Sequence, residues 1–192
     1  MKFASNILRL ATLAAMAVAV IAPMSAHAES KYTTGAGPLT AAAKLDFEII
    51  VEKFIFLQVG AGTLNADLPT VSKQTFTVPG TVNGNLTAIS GGAALTTIVR
   101  GNAGVLTLAN NGTGTLINSA TPPDTIDMLK ITPVVTGTVP HAAWGGSSTL
   151  PLLAGASNVT KLDGTWAFTY ANDAIVAAGT YVKRVTYTLT SL

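Results

Sequence analysis

Residues 39–60, LTAAAKLDFEIIVEKFIFLQVG, are the stretch around which the predicted fold is organised. From residue 41 to residue 51 every second side chain is apolar, and the charged side chains all take other positions: Lys44, Asp46, Glu48 and Glu52. Apart from Ile50, this alternation is typical of a β-strand with one buried face. Residues 54–59 are instead mostly apolar at both parities, as in a strand that is buried on both sides. The stretch therefore predicts two strands in tandem.

The rest of the chain alternates short β-prone runs with turns that are rich in glycine, proline and asparagine. The runs follow one another at intervals of about ten residues, without an amphipathic helical pattern between them. They cover residues 73–78, 86–89, 95–99, 105–108, 128–135, 150–153, 164–170 and 179–192. Many short strands at this spacing predict an all-β fold, arranged as a β-sandwich.

The first 28 residues have the features of a secretory signal peptide. Lys2 and Arg9 give a positive start, residues 10–21 are apolar, and Ala26-His27-Ala28 forms a small-x-small cleavage site. The apolar run is too short for a spanning helix, and no later run approaches about 18 apolar residues. We therefore predict a cleaved leader at 1–28, an N-terminal extension at 29–51 and a β-domain at 52–192, in a secreted protein without membrane insertion.

Composition argues against several classes of partner. Loss of Lys2 and Arg9 with the leader takes eleven basic residues to nine, which equals the nine acidic residues. A neutral chain lacks the clustered basic excess with which proteins bind nucleic acids or anionic membranes. Only 10% of the residues are charged while 48% are apolar, whereas soluble domains average about 25% charged residues. Part of the apolar surface is therefore expected to be buried against neighbouring molecules.

Groups that could carry catalysis or bind a metal are sparse. After the leader the chain has one histidine, His141, and no cysteine, so no zinc spacing exists. Ser147 and Ser148 follow His141 closely, but the members of a catalytic triad normally come from distant segments, and no nucleophile elbow is present. We expect no enzyme activity, no catalytic residue, no metal and no cofactor.

The other polar and aromatic candidates have structural interpretations. The carboxylates at positions 46, 48 and 52 are interpreted as the exposed face of a strand. Asp124 and Asp127 are interpreted as turn or capping residues. Aromatic residues at strand spacing could line a sugar-binding face, but they belong more often to a core, and this second interpretation is favoured for Trp144, Trp166, Phe168 and Tyr170.

The end of the chain resembles a known family. Residues 179–190, GTYVKRVTYTLT, follow Ala178 and continue from Gly179-Thr180-Tyr181 into alternating threonine and valine. This segment is similar to the last strand of chaperone-usher pilins, especially those of the archaic group. The secreted, neutral chain with its alternating N-terminal segment resembles the family in general layout. Many pilins of that group carry a cysteine pair, which this chain lacks.

In that family the subunit is an immunoglobulin-like β-sandwich without its seventh strand, and the N-terminal strand of a neighbouring subunit fills the resulting groove. The resemblance implies the same donor-strand complementation here. The donor side chains would be Ala41, Ala43, Leu45, Phe47, Ile49 and Val51. The first and last strands of the domain, residues 54–59 and 181–189, would flank the groove through Phe54, Phe56, Tyr181, Val185, Tyr187 and Leu189.

The sequence thus predicts the structural subunit of an extracellular bacterial pilus, which polymerises head to tail for adhesion or biofilm formation. Its partners would be further copies of itself and, by the resemblance, a periplasmic chaperone and an outer-membrane usher, with unassisted self-assembly left open. The alternative is a monomeric secreted β-sandwich that binds a ligand, for example a lectin-like module, and whose N-terminal strand pairs in cis.

Overall fold

The structure is a computed structural model that describes residues 30–64, 67 and 71–192. The predicted leader at 1–28 lies outside these residues. The described chain divides into two units, one that ends at Ile50 and one that spans Val51–Leu192. In the first unit, residues 30–50 form no helix or strand, and all but one of their side chains are exposed.

The second unit is built from antiparallel β-strands, so the all-β prediction is confirmed. Its described residues contain ten strands: β1 Ile55–Val59, β2 Ile89–Ser90, β3 Leu95–Gly101, β4 Leu106–Asn110, β5 Thr115–Ile117, β6 Thr125–Asp127, β7 Ile131–Gly137, β8 Ser147–Thr149, β9 Thr160–Tyr170 and β10 Tyr187–Ser191. The helical elements among these residues are two 3-10 turns, Gly80–Val82 and Met128–Lys130. No helix in the part of the chain that the structure describes is long and apolar enough to cross a membrane.

Strand β9 is the centre of the larger sheet. Its first seven residues pair with β3, its last seven pair with β7, and β2 pairs with its final two residues. Strand β1 pairs with the outer side of β3. Along β9 the buried side chains alternate, as expected for a strand with one face on a core: Thr160, Leu162, Trp166, Phe168 and Tyr170.

A second sheet has the order β10-β4-β8 and shares the core with the first. Leu106 and Leu108 of β4 are fully buried and belong to the same apolar cluster as Trp166 and Val99 of the first sheet. Residues 138–146 connect β7 of the first sheet to β8 of the second, and they bury Val139 in the core. On this side the chain itself closes the gap between the two sheets.

Several predicted strands need correction. Residues 150–153 are not a strand, because the residues that pair with β4 are the preceding Ser147–Thr149. The closing strand is limited to Tyr187–Ser191 rather than residues 179–192. The first strand of the domain is not buried on both sides, since only Gln58 is buried within β1. The small hairpin of β5 and β6 has no counterpart among the predicted strands.

A buried asparagine fastens the loops at the end of β9. Asn172 has no exposed surface and adopts a left-handed conformation with φ 49°. Its Oδ1 accepts a hydrogen bond from the N–H of Gly84 at 3.0 Å. Its Nδ2 donates to the carbonyl oxygens of Val82 at 2.6 Å and Thr87 at 3.1 Å. One side chain thus satisfies three backbone groups of the neighbouring loop.

We expect Asn172→Ala to lower the free energy of unfolding by about 3 kcal/mol, because it removes a fully buried side chain and leaves three part-buried backbone groups without its hydrogen bonds. Asn158→Ala is the matched control, since Asn158 also has a positive φ, 64°, but is exposed. The Asn158→Ala variant therefore measures only the loss of stability caused by an alanine with a positive φ. Urea unfolding of both variants measures the difference, and equal losses of stability would contradict this role of the Asn172 side chain.

Candidate functional site

The side of the core that lies opposite residues 138–146 is bordered by two strands with an unpaired edge. Strand β1 pairs with β3 and strand β10 pairs with β4, and neither has a second partner among the described residues. The two strands belong to different sheets, yet their Cα atoms approach within 8 Å. We call this pair of adjacent edges, Ile55–Val59 and Tyr187–Ser191, the open edge.

Side chains at the open edge alternate between the core and solvent. Tyr187 and Leu189 are half-buried and pack against the core, as does Val185 two residues before β10, whereas the residues between them are exposed. On β1, Leu57 and Val59 pack against the same core. An apolar row that is only half-covered, beside backbone groups without a strand partner, is the arrangement that accepts an additional strand.

The open edge lacks the features that usually protect a strand edge. Such edges are commonly shortened or carry proline or charged residues. On the opposite side, β7 contains Pro133 and β8 has only three residues. Neither Ile55–Val59 nor Tyr187–Ser191 contains a proline or a charged residue. The edges on one side of the domain are thus protected, and those on the other are not.

A further extended segment, residues 71–79, lies on the core without joining a sheet. Its even-numbered residues from Ser72 to Val78 are half-buried and its odd-numbered ones are exposed. The Phe76 ring packs edge-on to Tyr170, with 6.4 Å between the ring centroids. Gln74 Nε2 donates to the carbonyl oxygen of Ala93 at 3.0 Å. Among the described residues, no hydrogen bond joins the backbone of residues 71–78 to another backbone group, so the strand predicted at 73–78 is extended but unpaired.

The predicted groove residues fall into two groups. Tyr187 and Leu189 lie at the open edge, and Val185 lies two residues before it and packs on the same core. The second group, Phe54 and Phe56, does not pack against the core. Phe54 precedes β1 and is 48% exposed. Phe56 alternates with the core-facing Leu57 and Val59 along β1.

Tyr181 is also separate from the open edge. It precedes β10 by six residues, and its hydroxyl lies 2.7 Å from Oδ2 of Asp124. The pKa of Asp124 is held below its usual value by this hydroxyl and by the N–H groups of Ala177 and Thr125. Asp127 accepts a hydrogen bond from the N–H of Leu129 at the start of a 3-10 turn. Turn and capping roles are thereby confirmed for both aspartates.

The predicted donor residues belong to the first unit and to its boundary with the second. Their large side chains are exposed, at 60% for Leu45, 87% for Phe47 and Ile49, and 72% for Val51. The alternation of apolar and charged residues in this segment is therefore not used by any strand of the described chain.

Asn102 holds the residues that follow the predicted donor segment. Its Oδ1 accepts from the N–H of Phe54 at 2.7 Å, and its Nδ2 donates to the carbonyl oxygen of Glu52 at 2.8 Å. Its own N–H donates to the carbonyl oxygen of Phe54 at 3.2 Å. Because Asn102 directly follows β3, residues 52–54 continue the line of β1 beside the end of β3.

His141 connects the open edge to the core. Its Nε2 lies 2.8 Å from the hydroxyl of Tyr187, and its ring packs edge-on to Trp144 and Trp166. Its Nδ1 is buried without a partner among the described residues. Burial lowers the pKa of His141 and raises that of Tyr187. Within the described part of the chain, the hydrogen-bond partner of the His141 ring is the Tyr187 hydroxyl and not a serine or a carboxylate.

The aromatic residues are mainly structural. Trp166, Phe168 and Tyr170 are buried, which confirms their interpretation as core. Trp144 is half-buried, and its Nε1 donates to the carbonyl oxygen of Ile131 at 2.7 Å. The described residues contain no group of three histidine, aspartate or glutamate side chains that could hold a metal ion.

Comparison of the chain with protein-family models, curated proteins and solved structures returned no match.

The environment of His141 predicts a pH-dependent stability. Burial holds its folded-state pKa below the ordinary value of 6.5, so the unfolded chain binds a proton first as the pH falls. We expect the free energy of unfolding to decrease as the pH is lowered through about 6.5. Tryptophan fluorescence during denaturant unfolding between pH 8 and pH 5 measures this slope.

His141→Gln is the control variant, because glutamine can still bond to the Tyr187 hydroxyl but does not titrate. The slope between pH 8 and pH 5 should be largely lost in this variant. The carboxylates of Asp124 and Asp173 have lowered pKa values, so their stabilising effect is lost in a more acidic window. An unchanged slope in His141→Gln would contradict the prediction.

Proposed function

We propose that the chain is the structural subunit of an extracellular bacterial fibre, in which the N-terminal strand of one copy completes the β-domain of the next. In this proposal the domain is an immunoglobulin-like β-sandwich that lacks one strand. The observation that carries the proposal is the open edge, where β1 and β10 each pair on one side only among the described residues, next to a half-buried apolar row.

Residues 41–51 have the properties that a strand in this position requires. One face carries Leu45, Phe47, Ile49 and Val51, and the other carries charged residues that suit a solvent-facing side. At about 3.3 Å per residue the segment spans about 33 Å, enough to follow the open edge over its length. Burial of four large side chains contributes about 6–10 kcal/mol before the cost of ordering the segment.

The Asn102 contacts favour insertion into a neighbouring copy over pairing in cis. To fold back beside β1, the chain would have to turn sharply between Val51 and Ile55. The three hydrogen bonds between Asn102 and residues 52–54 oppose such a turn, because they hold these residues in line with β1. Insertion into a second copy keeps these bonds. Since the donor segment and the open edge are different surfaces, such insertion continues indefinitely and yields a filament.

The proposal includes the route and the setting that the sequence implies. The chain would be secreted through the periplasm to the cell surface, with the help of a chaperone and an usher or by self-assembly. Its low content of charged residues agrees with a subunit that buries apolar surface in an assembly. Trp166 is buried and Trp144 is half-buried with its Nε1 hydrogen-bonded to Ile131, so both tryptophans serve the core, which favours the fibre over a lectin-like module.

Because the chain has no cysteine, disulfide trapping can separate the two modes of pairing. One variant carries Phe47→Cys and a second carries Leu189→Cys, and the two are co-secreted and oxidised. We expect a cross-linked pair that contains one copy of each variant, since the donor strand of one subunit lies against β10 of another. Leu129→Cys, at a residue that is 71% exposed away from the open edge, replaces Leu189→Cys in the control and should give no such link.

Pairing in cis gives the opposite pattern. The double variant Phe47→Cys/Leu189→Cys would then form an internal disulfide in a monomer, and the mixed single variants would remain unlinked. Deletion of residues 29–51 adds an independent measurement by electron microscopy. The proposal predicts secreted protein without fibres, and fibres of normal appearance from the deletion variant would contradict it.

A further inference from the structure

The domain has two ends that differ in their chemistry. Strand β9 runs from one to the other, a distance of about 33 Å at 3.3 Å per residue. The β3–β4 turn lies at the beginning of β9, where the N–H of Gly104 donates to the carbonyl oxygen of Asn158. We call this the start pole. Loops 83–87 and 172–176 lie beyond the last residue of β9 and form the end pole.

The end pole exposes two large aliphatic side chains. Leu86 is 74% exposed and Ile175 is 82% exposed. Leu86 also has a φ of 69°, a left-handed conformation that is unfavourable for a residue with a Cβ atom. The loop is nevertheless fixed, because the N–H of Leu86 donates to the carbonyl oxygen of Asn172, whose buried side chain holds the residues on either side. The unfavourable backbone conformation at Leu86 therefore lowers the stability of the fold while its apolar side chain remains in solvent.

The start pole contains a cavity of about 350 Å³ that is open to solvent. Its apolar lining comes from Ala103, Val105 and Leu192, and its polar lining includes Lys53 and Asn102. An apolar cavity of about 150 Å³ is large enough to bind benzene, so this one has room for an aliphatic side chain. Val105 is 37% exposed, which leaves its side chain accessible from the cavity.

We infer that the end pole of one copy docks into the start pole of the next, with Leu86 and Ile175 seated at the cavity that Val105 and Leu192 line. The occupant is a second copy of this chain, because the two complementary surfaces lie at opposite ends of one domain and therefore repeat along a row of copies. Lys53 lines the cavity two residues after Val51, so this contact adjoins the place where the donor segment ends. The inference rests on the proposed fibre and adds a contact between the domains themselves.

Disulfide trapping tests the contact directly. Variants with Leu86→Cys and with Val105→Cys are co-secreted and oxidised, alongside the Phe47→Cys and Leu189→Cys pair. We expect both pairs to give mixed cross-links in assembled material. If the Phe47/Leu189 link forms and the Leu86/Val105 link does not, the pole-to-pole contact is wrong and the proposed fibre stands. If fibres are absent and neither link forms, the proposed function fails together with this inference.

Leu86→Gly separates docking from a role in folding. Glycine adopts a positive φ without strain, so the unassembled subunit should be as resistant to urea as the unaltered chain, or more so. The fibres should be shorter and should dissociate at a lower denaturant concentration, because the docking side chain is gone. Val134→Ala, at an exposed residue of β7 that pairs with Ala167 between the two poles, is the control and should leave fibre length unchanged. A less stable subunit, or fibres of unaltered length and resistance, would overturn the inference.

Discussion

An unpaired strand edge beside a half-covered core is the constraint on which the rest of this structure depends. Backbone N–H and C=O groups at such an edge need partners, and the apolar side chains next to them gain free energy when they are covered. Elsewhere the domain meets these needs itself. Residues 138–146 cross between the sheets and bury Val139, and Pro133 limits pairing at β7. At β1 and β10 the described chain supplies no equivalent, so the edge is suited to a strand from elsewhere.

The strand that borders this edge is nevertheless firmly placed. β10 is held by five residue pairs with β4, and Tyr187 reaches into the core to bond with His141 while its ring packs against Trp166 at 5.0 Å. These contacts fix one side of the open edge before any partner arrives. A preformed site loses less conformational entropy on binding than a flexible one. The aromatic core would therefore contribute to the proposed docking of a donor strand through rigidity.

The sequence predicted strands that are β-prone runs bounded by turn residues, such as β3 and β4. It also predicted most of β7, although the first three residues of that run, 128–130, form a 3-10 turn. The sequence failed to predict strands whose formation depends on pairing with a neighbouring strand rather than on a local apolar pattern. Residues 71–78 alternate well, yet they find no backbone partner in the described chain, whereas Ser147–Thr149 form a strand without an apolar pattern because β4 lies beside them. The sequence also could not show which side chains of a continuous apolar run face the core. In β1 both parities are apolar, so only packing shows that Leu57 and Val59, and not Phe56, face the core.

The lack of protection at the open edge is common to pairing in cis and pairing in trans. A strand that always pairs within its own chain needs no protection at the edge it covers, and neither does a strand that is covered by a neighbouring copy. The two cases differ in the connection, which must turn back in cis and run straight on in trans. Residues 52–54 continue beside the end of β3, held by hydrogen bonds to the side chain and the backbone N–H of Asn102. The same three residues place Lys53 at the start pole, so the connection, the open edge and the cavity together form the surface through which successive copies would meet.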